Sequence, residues 1–210
     1  IDSPITPAGS RAARASVDVA LHDLAARRAG LPLYAYLGLT GDITALTSFT
    51  LGIDSPEAML KKVNRAREYT ILKVKLGFEG DIEVLKSVRE AYDGLIRVDA
   101  NGGWSLKEAI ARFPLLISLG VEFVEQPLPR GEREGLKALR DKFPLPVFVD
   151  EDAVGPEDVP DLVGVVDGIN VKLMKCGGLR PALRMIEEAR KGGLKVMLGC
   201  MIETSVGITA

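Results

Sequence analysis

Apolar residues in this 210-residue chain follow two rhythms that alternate. Short runs at 46–51, 71–75, 95–99, 121–125, 146–150, 168–173 and 194–198 are rich in Val, Ile and Leu. Near-continuous runs of that kind are the pattern of strands covered on both faces. Between them, apolar residues return every three or four positions, which predicts helices over 81–92, 105–119, 132–142, 156–163 and 181–191. Ser105 with Glu108 three residues on is a capping box for the second of these. Another helix is expected to begin at 54–57, where an acid falls in the first turn. The chain opens with a predicted helix over 10–28 that places Ala13, Val17, Ala20, Leu21 and Leu24 near one face. Gly30 and Pro32 stop it, and 32–39 reads as a compact loop.

Each apolar run closes on a polar or reactive residue. Thr50, Lys75, Asp99, Glu125, Asp150, Lys172 and Cys200 follow one another at steps of 25, 24, 26, 25, 22 and 28 residues. Such a step holds one strand, one helix and two loops, so one supersecondary unit is repeated. Alternating strands and helices imply a parallel sheet with right-handed crossovers. A doubly wound sheet and a (β/α)8 TIM-type barrel both satisfy this α/β pattern. Polar groups at nearly every strand end favour the barrel, which draws its chemistry from many strand tips on one face. Seven strands are found, so the expectation is an incomplete portion of the barrel.

Asp99, Glu125 and Asp150 end three successive strands. An acid at one strand end is an ordinary turn former, but regular spacing over three strands is not explained that way. In a barrel these tips are neighbours, and three carboxylates facing one space repel one another. A hard divalent cation relieves the repulsion, and an all-oxygen set suits Mg²⁺. Lys73 and Lys75 alternate around Val74 and so share one strand face. Inside a barrel, adjacent ammonium groups are expected to depress each other's pKa, which makes a lysine a usable base. Lys172, on the sixth strand, is expected across the barrel from the second. The arrangement points to proton removal next to a carboxylate held on the metal, with a lysine on either side. Lys175 with Gly177 and Gly178 is either an anion site at a helix N-terminus or a plain loop.

Composition narrows the partners. The formal net charge is −2 and Lys and Arg are scattered, which argues against nucleic acid and against an anionic membrane. No apolar run approaches the roughly 20 residues of a membrane span. No signal peptide opens the chain, and Cys176 and Cys200 form no metal-type pair, so a reducing, cytoplasmic setting is expected. The chain has one histidine, His22, in the first helix, so acid–base work at the strand ends falls to Lys, Asp, Glu, Tyr or Cys. It also has one glutamine, Gln126.

The sequence resembles the enolase superfamily in its muconate-lactonising-enzyme subgroup. The resemblance rests on Lys-Val-Lys at 73–75, Asp-Ala-Asn-Gly-Gly-Trp at 99–104, Glu-Gln-Pro at 125–127, Asp-Glu at 150–151 and Lys-Leu-Met-Lys-Cys-Gly-Gly at 172–178. Enolase-superfamily sites pair a Lys or His base with Mg²⁺. The resemblance implies one Mg²⁺ held by Asp99, Glu125 and Asp150, with Lys75 and Lys172 as the two acid–base groups and Lys73 tuning Lys75. Residues 172–178 and 199–210 look most like dipeptide epimerases of the L-Ala-D/L-Glu type, which implies substrate contacts from Thr50, Lys73, Cys200 and Ile202. The implied activity is epimerisation at the carbon α to a carboxylate, in a homo-oligomer acting on a dipeptide or N-acyl amino acid. o-Succinylbenzoate synthase and N-acylamino acid racemase share the same lysines and metal. An inactive barrel fragment or a binding module is the reading of another class. By the same resemblance, residues 1–40 are the last part of a capping domain with its linker. Residues 41–210 are barrel strands one to seven, stopping before an eighth strand whose Asp-x-Asp would bind the dipeptide ammonium group.

Overall fold

The computed structural model describes residues 10–40 and 45–210. In chain order the elements are α1 (Arg11–Arg28), α2 (Leu33–Tyr36), β1 (Phe49–Leu51), α3 (Pro56–Arg65), β2 (Ile71–Lys75), α4 (Asp81–Ala91), β3 (Leu95–Asp99), α5 (Leu106–Ser118), β4 (Val121–Glu125), α6 (Arg133–Lys142) and β5 (Val147–Val149). Two 3-10 turns, Pro156–Asp158 and Pro160–Leu162, precede β6 (Gly168–Val171), α7 (Leu173–Cys176), α8 (Leu179–Lys191), β7 (Lys195–Leu198) and α9 (Ser205–Thr209). The proposed domain border at 40/41, and the first nine residues of the capping segment, touch positions outside the described residues. No helix among the described residues is long and apolar enough to cross a membrane.

The chain divides into two compact units. The larger holds Ala45–Asp152 and Asp161–Ile169. In it, strands β1 to β5 and the start of β6 pair in chain order, every pair parallel. Leu72, Val74, Ile96, Val98, Val124, Val147 and Val149 are fully buried on these strands. The helices cover them through Met59 and Val63, Leu85 and Val88, Phe113 and Leu116, and Leu136 and Leu139, all equally buried. Each such side chain contributes roughly 1.5–3 kcal/mol relative to an exposed one. The capping box on α5 forms as read: Ser105 Oγ accepts from Glu108 N at 3.3 Å, and Ser105 N donates to Glu108 Oε2 at 2.8 Å.

The strand-end loops of this unit are locked together. Gly77 and Gly103 approach so closely that a Cβ on Gly103 would stand 2.4 Å from Gly77 O. A Cβ on Gly77 would stand 2.1 Å from Ala100 O, and Gly77 has φ +90°, so both needs select glycine. The buried Asp81 ties the same loops, accepting from Gly77 N at 2.9 Å and from Trp104 Nε1 at 2.8 Å.

The smaller unit holds Ile1–Thr44, Ala153–Pro160 and Asn170–Ala210. Its α1 runs as expected but buries a different face. Ala15, Val19, His22 and Ala26 are inside, while Val17, Leu21 and Leu24 are exposed. Asp18 on α1 caps α8: its Oδ2 accepts from Leu179 N at 2.7 Å. The anion position at the helix start after Gly177 and Gly178 is thus taken by a carboxylate of the chain itself.

Three local expectations are corrected. Residues 156–163 form two 3-10 turns instead of one helix, because Pro160 lacks the N–H that an α-helix would need there. The loop at 32–39 contains the one-turn helix α2. The sixth strand stops at Val171, and Lys172 becomes the N-cap of α7.

Candidate active site

Strand register brings the first group of predicted residues to one level. Lys75 lies opposite Asp99 across β2 and β3, and Asp99 lies opposite Glu125 across β3 and β4. Glu125 pairs with Phe148 on β5, so Asp150 follows just past that strand's tip. Asp99 and Glu125 are fully buried and Asp150 nearly so. Lys73 Nζ lies 2.8 Å from Asp99 Oδ2 and 2.6 Å from Glu125 Oε2. Lys75 Nζ lies 2.7 Å from the same Asp99 oxygen. Thr50, opposite Lys73 on β1, is exposed.

The electrostatics differ from the expected mutual depression of two lysines. Burial opposes the charged form of Lys73, but the charges of Glu125 and Asp99 outweigh it, and its pKa is raised. Burial likewise opposes ionisation of Asp99, yet the Lys73 and Lys75 ammonium groups hold its carboxyl below the usual range. The acids therefore set the lysine's state, not the other lysine.

Asn101, Glu151 and Gln126 are part of this arrangement, and the sequence reading assigned them no role. Asn101 adopts φ +46°, donates its backbone N–H to Asp99 Oδ1 at 3.0 Å, and accepts from Lys75 Nζ at 2.8 Å. Its Nδ2 donates to Glu151 Oε1 at 3.2 Å. Gln126, buried and at φ +39°, reaches the loop after β5. The signal was present: each directly follows, or lies two residues past, a strand-end acid. One strand turn below, Arg97 donates to Glu122 Oε2 and to Ser48 Oγ, each at 2.7 Å.

Asp99 and Glu125 fit a divalent cation as a pair, while Asp150 does not close with them into the three-carboxylate set that was expected. Among the described residues no three Asp, Glu, His or Cys side chains close into a metal cage. The Lys73 ammonium is a stand-in cation, within ion-pair distance of two buried carboxylates. A buried, acidic, all-oxygen donor set is what Mg²⁺ takes.

In the smaller unit, Lys172 caps α7, its carbonyl accepting from Lys175 N at 3.0 Å and Cys176 N at 3.1 Å. Gly199 stands beside it: a Cβ there would be 2.9 Å from Lys172 Cε and 2.4 Å from Oδ1 of the buried Asn170. Lys175 reaches two backbone carbonyls. Its Nζ donates to Ala153 O at 2.9 Å and Asn170 O at 3.0 Å. Cys200 and Ile202 are exposed, and Cys176 is buried.

Residues 57–210 match the family model for the enolase C-terminal domain-like fold, and residues 5–38 match the mandelate racemase / muconate lactonizing enzyme N-terminal domain. The chain belongs to the enolase C-terminal domain-like family. It is 43% identical over 195 residues to an L-Ala-D/L-amino acid epimerase from Maribacter sp., covering 93% of this chain and 58% of that protein. It is 42% identical over 201 residues to an L-Ala-D/L-Glu epimerase from Bacteroides thetaiotaomicron, covering 95% of this chain and 52% of the relative. A crystal structure of a dipeptide epimerase from Enterococcus faecalis complexed with Mg and L-Leu-L-Tyr superposes with a TM-score of 0.90 at 39% identity, covering 97% of this chain and 60% of that one. This enolase-family chain thus spans 52–60% of the length of those relatives. The likeness shows the α/β barrel fold, represented among the described residues by seven strands.

Proposed function

We propose that this protein is a Mg²⁺-dependent dipeptide epimerase that moves the proton α to a substrate carboxylate. The observation that carries the reading is the cluster of Lys73 and Lys75 on the buried Asp99 and Glu125 at the strand tips. Relatives named as dipeptide epimerases support the substrate class. Asp99, Glu125 and Asp150 would hold the ion. A hard cation there would withdraw charge from the substrate carboxylate and make its α-proton more acidic. Lys75 is one acid–base group, fixed by Asp99 and Asn101. Lys172 is the other, and each serves one face of the α-carbon. Lys73 neutralises the acids and, with Thr50, Cys200 and Ile202, contacts substrate. The same reading assigns 1–40 to a capping domain and 41–210 to the barrel.

The test uses the full-length protein in deuterated buffer, followed by NMR. Lys75→Ala and Lys172→Ala should each abolish interconversion of the two stereoisomers. Each variant should still exchange the α-hydrogen of the isomer that faces its surviving lysine. A single variant that interconverts the isomers at near the unmodified rate would sink the two-base assignment.

A further inference from the structure

Gln126 is the only glutamine in the chain, and all of its polar capacity is used inside the protein. Its Oε1 accepts from three consecutive backbone N–H groups: Asp150 and Glu151 at 3.0 Å, and Asp152 at 3.4 Å. Its Nε2 donates to Leu128 O at 2.9 Å and to Asp152 Oδ2 at 2.7 Å. Asp152 Oδ1 in turn accepts from Gly131 N at 2.8 Å. The residue has no exposed surface, and its φ of +39° is one that side-chain-bearing residues rarely adopt. That backbone strain is held in place by five hydrogen bonds to one amide.

The bonds reach further than the loop they close. Glu125, directly before Gln126, is held by Lys73. Asp150 and Glu151 take their backbone position from the Gln126 oxygen. Glu151 in turn accepts from Asn101, and Asn101 accepts from Lys75. One buried amide therefore connects the backbone under a proposed metal ligand to the chain of contacts that orients a proposed base.

We propose that Gln126 is a positioning residue that sets Asp150 for the metal and, through Glu151 and Asn101, sets Lys75 for proton transfer. The inference rests on the Mg²⁺-dependent reading above. It needs an amide, because a single acceptor oxygen must face three donors while a donor faces the Asp152 carboxylate and the Leu128 carbonyl. A carboxylate alone would repel Asp152, and an apolar isostere would leave three N–H groups of a buried loop without their acceptor.

Calorimetric titration of Mg²⁺ into the full-length protein tests this, alongside thermal melting and the kcat and KM of epimerisation. Gln126→Met should weaken Mg²⁺ by about 10–100-fold, the range typical of residues that support metal ligands. It should lower kcat with little change in KM for the dipeptide. Gln126→Glu combined with Asp152→Asn keeps an acceptor for the three N–H groups and a donor–acceptor pair with residue 152 but loses the bond to Leu128 O, and should recover part of the Mg²⁺ affinity. If Gln126→Met does not fold, Gln126→Asn, one methylene shorter, withdraws the oxygen from the same N–H groups and takes its place. A folded Gln126→Met with lower Tm but unchanged Mg²⁺ affinity and kcat would make the residue a stabiliser of the loop only and overturn the inference. Failure of the unmodified protein to bind Mg²⁺ is a different result, and it would sink the metal-dependent reading itself.

Discussion

The strand tips of the two units are built in opposite ways. At the ends of β2, β3 and β4, two buried carboxylates and two half-buried lysines are joined by charged contacts of 2.6–2.8 Å. Past the ends of β6 and β7, Cys200 and Ile202 stand in the open, and the Lys172 stem runs close beside Gly199. In the first region Lys73 is kept charged against burial by Glu125 and Asp99, and Asp99 by Lys73 and Lys75. In the second, Cys200 and Ile202 are exposed uncharged side chains that can change without leaving a charge stranded.

The sharpest way to break this contrast is to remove one charge from the buried cluster. Lys73→Met leaves Asp99 and Glu125 short of a partner in a dry site, and loss of one member of a buried pair costs about 3–5 kcal/mol. The loss should appear in urea unfolding near neutral pH. Saturating Mg²⁺ should restore part of it, because an ion that binds only the folded state stabilises that state. A variant of unchanged stability would mean that the cluster is already solvated and that the two regions are alike. Lowering the pH should act in the same direction on the unmodified protein. Asp99 is held below its ordinary value, so its contribution is complete above the unfolded pKa and is lost as pH falls through the folded one.

A smaller effect is expected from Gly199→Ala, the one tight place in the second region. The new methyl would meet Oδ1 of Asn170, which is fully buried and cannot swing aside. Overpacking of this kind costs about 1–3 kcal/mol. It should also lower kcat, since the methyl crowds the Lys172 stem; unaltered melting and turnover would show that the site yields. The smallest effect on stability belongs to Ile202→Ala and Cys200→Ser, within about 0.5 kcal/mol because both are exposed. Their effect should instead be a changed ratio of kcat/KM between dipeptides of different side chain. A melting shift of several degrees in either would contradict their exposure.

The repeat was legible because its spacing is a property of the chain alone. A step of about 25 residues between strand ends needs no knowledge of packing, and it located Lys75, Asp99, Glu125 and Asp150 at one end of the strands. What could not be read depends on who packs against whom. The buried face of α1 holds Ala15, Val19, His22 and Ala26, while Leu21 and Leu24 of the predicted face are exposed. The pKa of Lys73 moves up and not down, because the nearest charges are carboxylates from two other strands. Gln126 follows Glu125 and looks like a turn residue; its importance lies in bonds to residues 24 to 26 positions away.

The contact between Asp18 and Leu179 spans 161 residues. A ribosome adding roughly 5–20 residues per second needs on the order of 10–30 s to cover that interval. For that time α1 exists without the helix start it caps, and a lone helix of its length is marginal in water. The early part of this chain is therefore a waiting partner whose docking comes late in synthesis. Stalled chains ending before Leu179 should leave α1 open to hydrogen exchange, and full protection in such chains would show that it finds support elsewhere.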